Sequence, residues 1–441
     1  MRGSRFQADL FRFPFLFPSA YRPIVNDVVI TGMGVMCPLG VSPTAAWESI
    51  AQSRSGVRVR QDLADAGWVA PYGGVVDDFD PKQWVKPRKS LKVMAREIQL
   101  AFAAGEQAWE SSGLEEANVD PQRVGVVTGS GLMYCEMEEL ERSYRACLDG
   151  EQFVYERWGD AGLRELFPLW MLKYLPNMSA CHLGIRRDAR GPTNTIASDD
   201  ASSLLAVTEA TNVIRRGAAD VMLAGGTSSR MYMIDNMWRT TGPLWSRGEQ
   251  PATMHRPFDA HRGGCVCGEG AGVLVLESES HARARGAKIW ARVAGVAARA
   301  EPAVAGAKFT GASIKAAINA ALQRAQVQPT ELAAVSAHGF STHQEDRLEA
   351  AAIAATLGDT PVTVPKSYMG NLGASGGAVE LVLGIVGLDQ RLVAPSLNYR
   401  EPDPECPVNV ITEMTKTDRR HLMTLSFNPT GQAVAAVVEA V

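Results

Sequence analysis

An α/β architecture with helix-covered sheets is what this 441-residue sequence predicts, on three observations. Short apolar, β-branched runs alternate with longer segments of helical periodicity in both halves of the chain. Several of the runs are apolar throughout, as strands buried on both faces are. Polar clusters recur just after the runs, and ligands in such folds sit beyond the carboxyl ends of the strands.

The first run is NDVVITGMGVMCPLG from Asn26, a buried strand ending in a glycine-rich turn. Its GxG lacks the third glycine and the distal acidic residue of a dinucleotide site. Residues 88–111 carry apolar positions at helical spacing, with basic residues in the first turns. RVGVVTGSG (123–131) is a second strand and turn. Residues 132–190 are less regular and rich in aromatics, and read as an insertion that covers a core or lines a cavity. GPTNTIASDDASSLL (191–205) places Ser198, Asp199 and Asp200 between a short apolar segment and a helix, and VMLAGG follows as a third apolar strand. GEGAGVLVLES (268–278) is a fourth. The second half repeats the pattern with the helix SIKAAINAALQRAQVQ, then AAVSAHGFST (333–342), PVTVPKSYMGNLGASGGAVELVLGIVGL (361–388) and the closing strand pair in 421–441. Its polar clusters are His338 with Thr342, and Lys366 with Asn371.

Composition narrows the function classes. A net charge of −4 and 46% hydrophobic content describe a soluble globular chain with no electrostatic footprint for nucleic acid. No apolar run approaches the ~18–20 residues of a transmembrane segment. Seven scattered cysteines, an odd number, fit a reducing cytoplasmic setting rather than a disulfide framework. Cys265-x-Cys267 lacks zinc spacing, and His255 and His261 supply no recognisable second ligand pair, so no metal is expected. Residues 1–24 hold five phenylalanines and three prolines among arginines, without the apolar core of a secretory signal. They stand as an N-terminal extension (1–25) whose role the residues leave open.

In this order, the clusters resemble the β-ketoacyl-acyl-carrier-protein synthase family of the thiolase fold. VVITGMGV…PLG is similar to the family's opening strand, GPTNTIASDDASS to the segment of its active-site cysteine, and RPFDAHRGGCVCGEGAGVLVLE to the segment that follows. AHGFSTHQEDRLEA resembles the loop of the first histidine, VPKSYMGNLGASGGAVE that of the lysine and second histidine, and SFNPTGQA the phenylalanine-gated turn. The resemblance implies a thiolase-like fold of two similar βαβαβαββ halves in a five-layered αβαβα arrangement. It implies a first half over 26–280, with the insertion at 132–190, and a second over 281–441. It also implies no resident cofactor, because phosphopantetheine arrives on the substrate, and an acyl carrier protein as partner. Lys86, Arg88, Lys89 and Lys92 could receive that acidic carrier, although a charge run is more often a solvated face.

The departures bear on chemistry. The nucleophilic cysteine position falls on Asp200, the second histidine on Asn371 and the gate phenylalanine on Pro429, with Asn428 and Thr430 in place of flanking glycines. His338, Lys366, Asp346 and Glu349 are retained. Candidate site residues are therefore Asp200, His338, Asn371 and Lys366, with Ser198, Thr342, Phe427, Pro429 and Thr430 on the substrate side. A carboxylate attacks a thioester poorly, and the mixed anhydride it would form hydrolyses, so condensation on this chain is not expected. Asp199 or Asp200 also reads as a helix N-cap, His338 as a satisfied structural histidine, and Lys366 with Glu349 as a buried ion pair holding two loops.

Ser198-Asp199-Asp200 is similar to the Ser-Asp-Gln of chain length factors, the ketosynthase-like subunits that pair with a cysteine-bearing ketosynthase. This implies a partner subunit in fatty-acid or polyketide assembly, in which the bulk of 132–190 could set tunnel length. Two alternatives stand beside it. One is an acyltransferase or malonyl-thioester decarboxylase in which His338 and Asn371 hold the developing oxyanion. The other is a non-catalytic acyl-chain-binding homodimer.

Overall fold

The computed structural model describes residues 26–68, 70–240, 250–302 and 308–441; the N-terminal extension lies outside them. The first half contains β1 (Val28–Met36), α1 (Arg96–Ser112), β2 (Val124–Ser130), α2 (Met178–Arg187), β3 (Thr193–Ile196), α3 (Ser202–Arg215), β4 (Val221–Ser229) and β5 (Glu269–Ser278). The second contains β6 (Ala291–Ala300), α4 (Ala312–Ala325), β7 (Leu332–Ser336), α5 (His343–Leu357), β8 (Pro361–Thr363), α6 (Gly376–Asp389), the two-residue β9 (Asn409–Val410), β10 (His421–Phe427) and β11 (Gln432–Ala440). Apart from short intervening elements and β9, each half is βαβαβαββ.

The halves also share a strand order. The described residues form an eleven-stranded sheet, β9-β8-β7-β10-β11-β6-β1-β5-β4-β2-β3. Counted within its own half, each set runs third, second, fourth, fifth, first. In both, the second, third and fourth strands pair parallel, and the fifth is antiparallel to the fourth and first beside it. The halves join through only two residue pairs between β1 and β6, Val29 with Arg292 and Ile30 with Ala291. Helices α3 and α6 pack on each other and on strands of both halves, α1 and α2 cover the first half, and α4 and α5 the second. This is the five-layered, thiolase-like arrangement the resemblance implied.

Local sequence explains the layers. β1, β4 and β5 are buried along their whole lengths, which is why they read as unbroken apolar runs. The GxG of β1 serves packing: a Cβ at Gly32 or Gly34 would stand 2.0 or 1.9 Å from the carbonyl oxygens of Ala108 and Ala104. α1 therefore lies directly against the strand backbone. α6 is buried on nearly all sides, as its run AVELVLGIVGL demands. No described helix is long and apolar enough to cross a membrane.

Two surfaces bear on association. β3 is an edge strand and stays partly exposed, with Thr193 and Asn194 open to solvent. Exposed strand edges are templates for pairing. The neighbouring insertion leaves Leu132, Tyr155, Met171 and Ile185 more than half exposed. Its helix Met137–Ala146 lines an apolar groove of about 830 Å³ with Trp68, Leu148 and Met233.

Candidate active site

Three loops meet at the carboxyl ends of parallel strands. β3 leads into a short 3-10 turn, Asp199–Ala201, and then α3. At its start Asp199 takes φ +46°, a left-handed conformation uncommon outside glycine, so the turn is sharp. β7 leads to His338, and β8 to Lys366 and on to Asn371. The strand-to-helix elbow is the setting in which α/β enzymes present a nucleophile. Here it presents Asp200, which is 2% exposed.

Neither aspartate is an N-cap. The cap positions of the 3-10 turn and of α3 are Ser198 and Ala201, and neither makes a side-chain capping bond; the Ser202 hydroxyl accepts from the Ser198 amide at 2.8 Å. The aspartates instead share one cation. Arg230 Nη2 donates to Asp199 Oδ1 at 2.7 Å and to Asp200 Oδ2 at 3.0 Å. Arg230 directly follows β4 and is itself only 2% exposed. Its guanidinium pKa stands well above the ordinary value: burial works against the charge, and Asp200 and Asp199 more than offset it.

His338 and Lys366 are fully buried. Lys366 Nζ lies 3.1 Å from His338 Nδ1 and 2.5 Å from Glu380 Oε1. An ammonium has donors only, so Nδ1 accepts and the ring proton sits on Nε2. Burial, then the charges of Lys366 and Arg230, hold His338 well below the usual histidine range. The neutral ring thus offers an Nε2–H donor, which has no hydrogen-bond partner among the described residues; Asp200 Oδ1 is 3.9 Å away. Asn371 Oδ1 accepts from the Gly373 amide at 2.8 Å. That bond orients the amide and leaves Nδ2 as a second donor with no oxygen or nitrogen acceptor among the described residues, its contact being the Cys265 thiol.

The expected pair of Lys366 with Glu349 is corrected. The lysine's carboxylate is Glu380 on central helix α6, whereas Glu349 on outer helix α5 accepts from the backbone amides of His338 at 2.6 Å and Gly339 at 2.8 Å. Glu349 still fixes the histidine loop, through its backbone. Among the substrate-side candidates, Ser198 accepts from Asn428 Nδ2 through its carbonyl oxygen at 3.0 Å. Phe427 is buried with its ring 4.9 Å from that of His338. Pro429 and Thr430 form an exposed turn, in which the Thr430 hydroxyl donates to Asn428 Oδ1 at 2.7 Å. Thr342 begins α5, and its hydroxyl is bonded to Glu345 at 2.5 Å. The structure thus gathers Asp200, His338, Lys366, Asn371, Ser198 and Phe427, and leaves Pro429, Thr430 and Thr342 in peripheral or structural positions.

Sequence reasoning missed Arg230, Glu380 and Cys265. Arg230 carried a faint signal, a lone cation at the end of VMLAGGTSSR. Glu380 carried a better one, the single charge within AVELVLGIVGL. Cys265 is the thiol within electrostatic reach of the cluster; burial pushes it up to about 12, Asp200 adds to the rise, and Arg230, the Asn371 amide and Lys366 oppose it. It is protonated at neutral pH and is a poor nucleophile.

The buried charges imply a pH response. Burial raises Glu97 and Glu349 each to about 8. A carboxyl raised on folding contributes stability below its unfolded pKa and loses it as pH rises through the folded value. The depressed histidines act on the acid side, His255 titrating only near 3. Stability is therefore expected to fall between pH 6.5 and 8.5, by up to about 1.4 kcal/mol per unit for each proton released. Urea melts across that window check it, and Glu97→Gln should flatten the slope.

Comparison with known proteins decides the family. Profiles described as the N-terminal and C-terminal domains of beta-ketoacyl synthase match residues 25–282 and 290–400. The chain belongs to the β-ketoacyl synthase family. It is 32% identical, over 89% of its length and 92% of the relative's, to the tetracenomycin polyketide synthase ketoacyl synthase alpha subunit of Streptomyces glaucescens. Among solved structures it is similar to the ishigamide ketosynthase/chain length factor, at TM-score 0.80 and 26% identity over 94% of this chain and 99% of that one. It is similar also to a type II polyketide synthase acyl-carrier protein complex with its ketosynthase, at TM-score 0.80 and 28% identity over 94% and 100%.

Proposed function

We propose that this chain is a chain-length-factor-like partner subunit of a condensing ketosynthase, acting on carrier-bound acyl chains in polyketide or fatty-acid assembly. One observation carries the reading: the elbow that should present a thiolate presents Asp200 bonded to Arg230. Acyl transfer between thioesters needs sulfur, because the exchange is then nearly isoenergetic and the product stays reactive. The partner would supply it. The open edge of β3 and the apolar insertion support pairing with such a subunit, and the exposed Lys86, Arg88, Lys89 and Lys92 support docking of an acidic acyl carrier protein. A cytoplasmic site of action fits the free cysteines among the described residues. Phosphopantetheine comes with the substrate, and no other cofactor is invoked.

Co-expression with a cysteine-bearing ketosynthase from the same host tests this. A stable heterodimer that condenses malonyl and acyl thioesters, while this chain alone does not, is the expected result. A homodimer that condenses unaided overturns it.

A second reading rests on two donors that meet no oxygen or nitrogen acceptor among the described residues, His338 Nε2 and Asn371 Nδ2. They suit an enolate oxygen, so malonyl-thioester decarboxylation is the enzymatic alternative. Release of carbon dioxide from malonyl-pantetheine, abolished in His338→Ala, would favour it. Retention of acyl thioester by both proteins without turnover would favour an acyl-binding homodimer.

A further inference from the structure

Arg230 does more than neutralise a carboxylate. Its Nη2 is bonded to Asp200, and its Nε lies 2.8 Å from where a Cβ on Gly373 would stand, with Cζ at 3.1 Å. The guanidinium therefore lies between position 200 and the loop Asn371–Gly373, and fits only because residue 373 has no side chain. An acyl group carried at position 200 would have to present its carbonyl in this gap, to the Nε2 of His338 and Nδ2 of Asn371. The arginine is fixed from the outside as well, by Asp199 at 2.7 Å, so loss of the Asp200 carboxylate does not release it.

We propose that Arg230 is an internal plug which excludes acyl chains from position 200, so that the chamber is closed by two residues rather than by the missing thiol alone. This rests on the reading of position 200 as the mouth of an acyl chamber. It implies that restoring a cysteine there does not restore loading, and that Arg230 is a positioning residue for whatever stands at position 200.

The test uses the full chain, with its partner where one co-purifies, as Asp200→Cys and Asp200→Cys/Arg230→Ala. Asp200→Cys/Arg230→Gln serves as a second double variant should the first fold poorly by circular dichroism. Each is exposed to hexanoyl-S-N-acetylcysteamine, whose acyl group passes to the new thiolate as the C–S bond to the cysteamine breaks and that sulfur takes up the proton. Intact and peptide mass spectrometry read the adduct. The single variant should load at least about tenfold more slowly than either double variant, as expected when a reacting carbonyl cannot reach its donors. Iodoacetamide, being small, should label the position-200 thiol in all three. Its pH midpoint should lie about one unit lower with Arg230 present, because the guanidinium favours the thiolate. Equal hexanoyl loading in single and double variants overturns the plug, and equal alkylation midpoints overturn the contact it depends on. Thiols that are alkylated in every variant but acylated in none overturn the assignment of position 200 itself, and the proposed function with it.

Discussion

Replacing Arg230 with methionine is expected to lower the unfolding free energy by about 3–5 kcal/mol, the usual penalty for removing one partner of a buried ion pair. Arg230 and Asp200 are each 2% exposed, so solvent cannot take over the guanidinium's role at Asp200. The loss should be specific to charge. Arg230→Met/Asp200→Asn removes both ions, and neutral replacement of a buried pair is often tolerated. A double-mutant cycle by urea denaturation at pH 7 should therefore give a coupling of about 2 kcal/mol or more, against the few tenths found for independent sites. Additive effects would mean that the Asp200 carboxylate draws its main stabilisation from a partner other than Arg230.

Much of this site was legible because it is local to strand ends. Asp200, His338 and Lys366 each follow a short apolar run within a few residues, and β7 and β8 are parallel neighbours whose carboxyl ends carry His338 and Lys366 to the same side. Strand position thus accounts for that pair, whereas Asp200 follows β3 in the other half, which joins the second through an antiparallel pairing, and its arrival beside them is a tertiary fact. The repeat of strand order was less visible, since β3 and β8 are only four and three residues long. The layers were legible for the same reason as the strands, with α6 betrayed by its apolar run.

What the sequence did not reveal is which distant charges pair. Lys366 lies in reach of two carboxylates by chain order, Glu349 and Glu380, and the choice is made by layer: α6 runs through the centre of the molecule, whereas α5 covers its outside. Arg230 is thirty residues from Asp200, just beyond the end of a different strand, and only the β2-centred order that brings β3 and β4 to either side of one strand puts them together. The capping expectation failed for a related reason. Asp is a favoured N-cap where no better partner exists, and here a buried guanidinium outcompetes the backbone amides for both side chains.

Lys366→Met is the second large perturbation. Lys366 and Glu380 are fully buried, and with the ammonium gone the Glu380 carboxylate loses the cation 2.5 Å away. A loss of about 3–5 kcal/mol at pH 8 is expected, with most of it recovered in Lys366→Met/Glu380→Gln. The pH dependence carries a sign. Burial already raises Glu380 to about 7 against the pull of Lys366, and removing the lysine raises it further. At pH 5.5 the carboxyl is neutral and needs no cation, so the variant should be less impaired there than at pH 8. His338 reports independently. Without Lys366 at 3.1 Å, its Nδ1 no longer accepts from an ammonium, and one of the charges that hold its pKa down is gone. Its ¹⁵N ring shifts should then show loss of the fixed Nε2–H tautomer together with a higher titration midpoint. A variant equally stable at both pH values, with an unchanged histidine, would mean that Glu380 binds its proton even beside Lys366. The pair would then be a neutral-acid hydrogen bond, and His338 would owe its tautomer to burial rather than to charge.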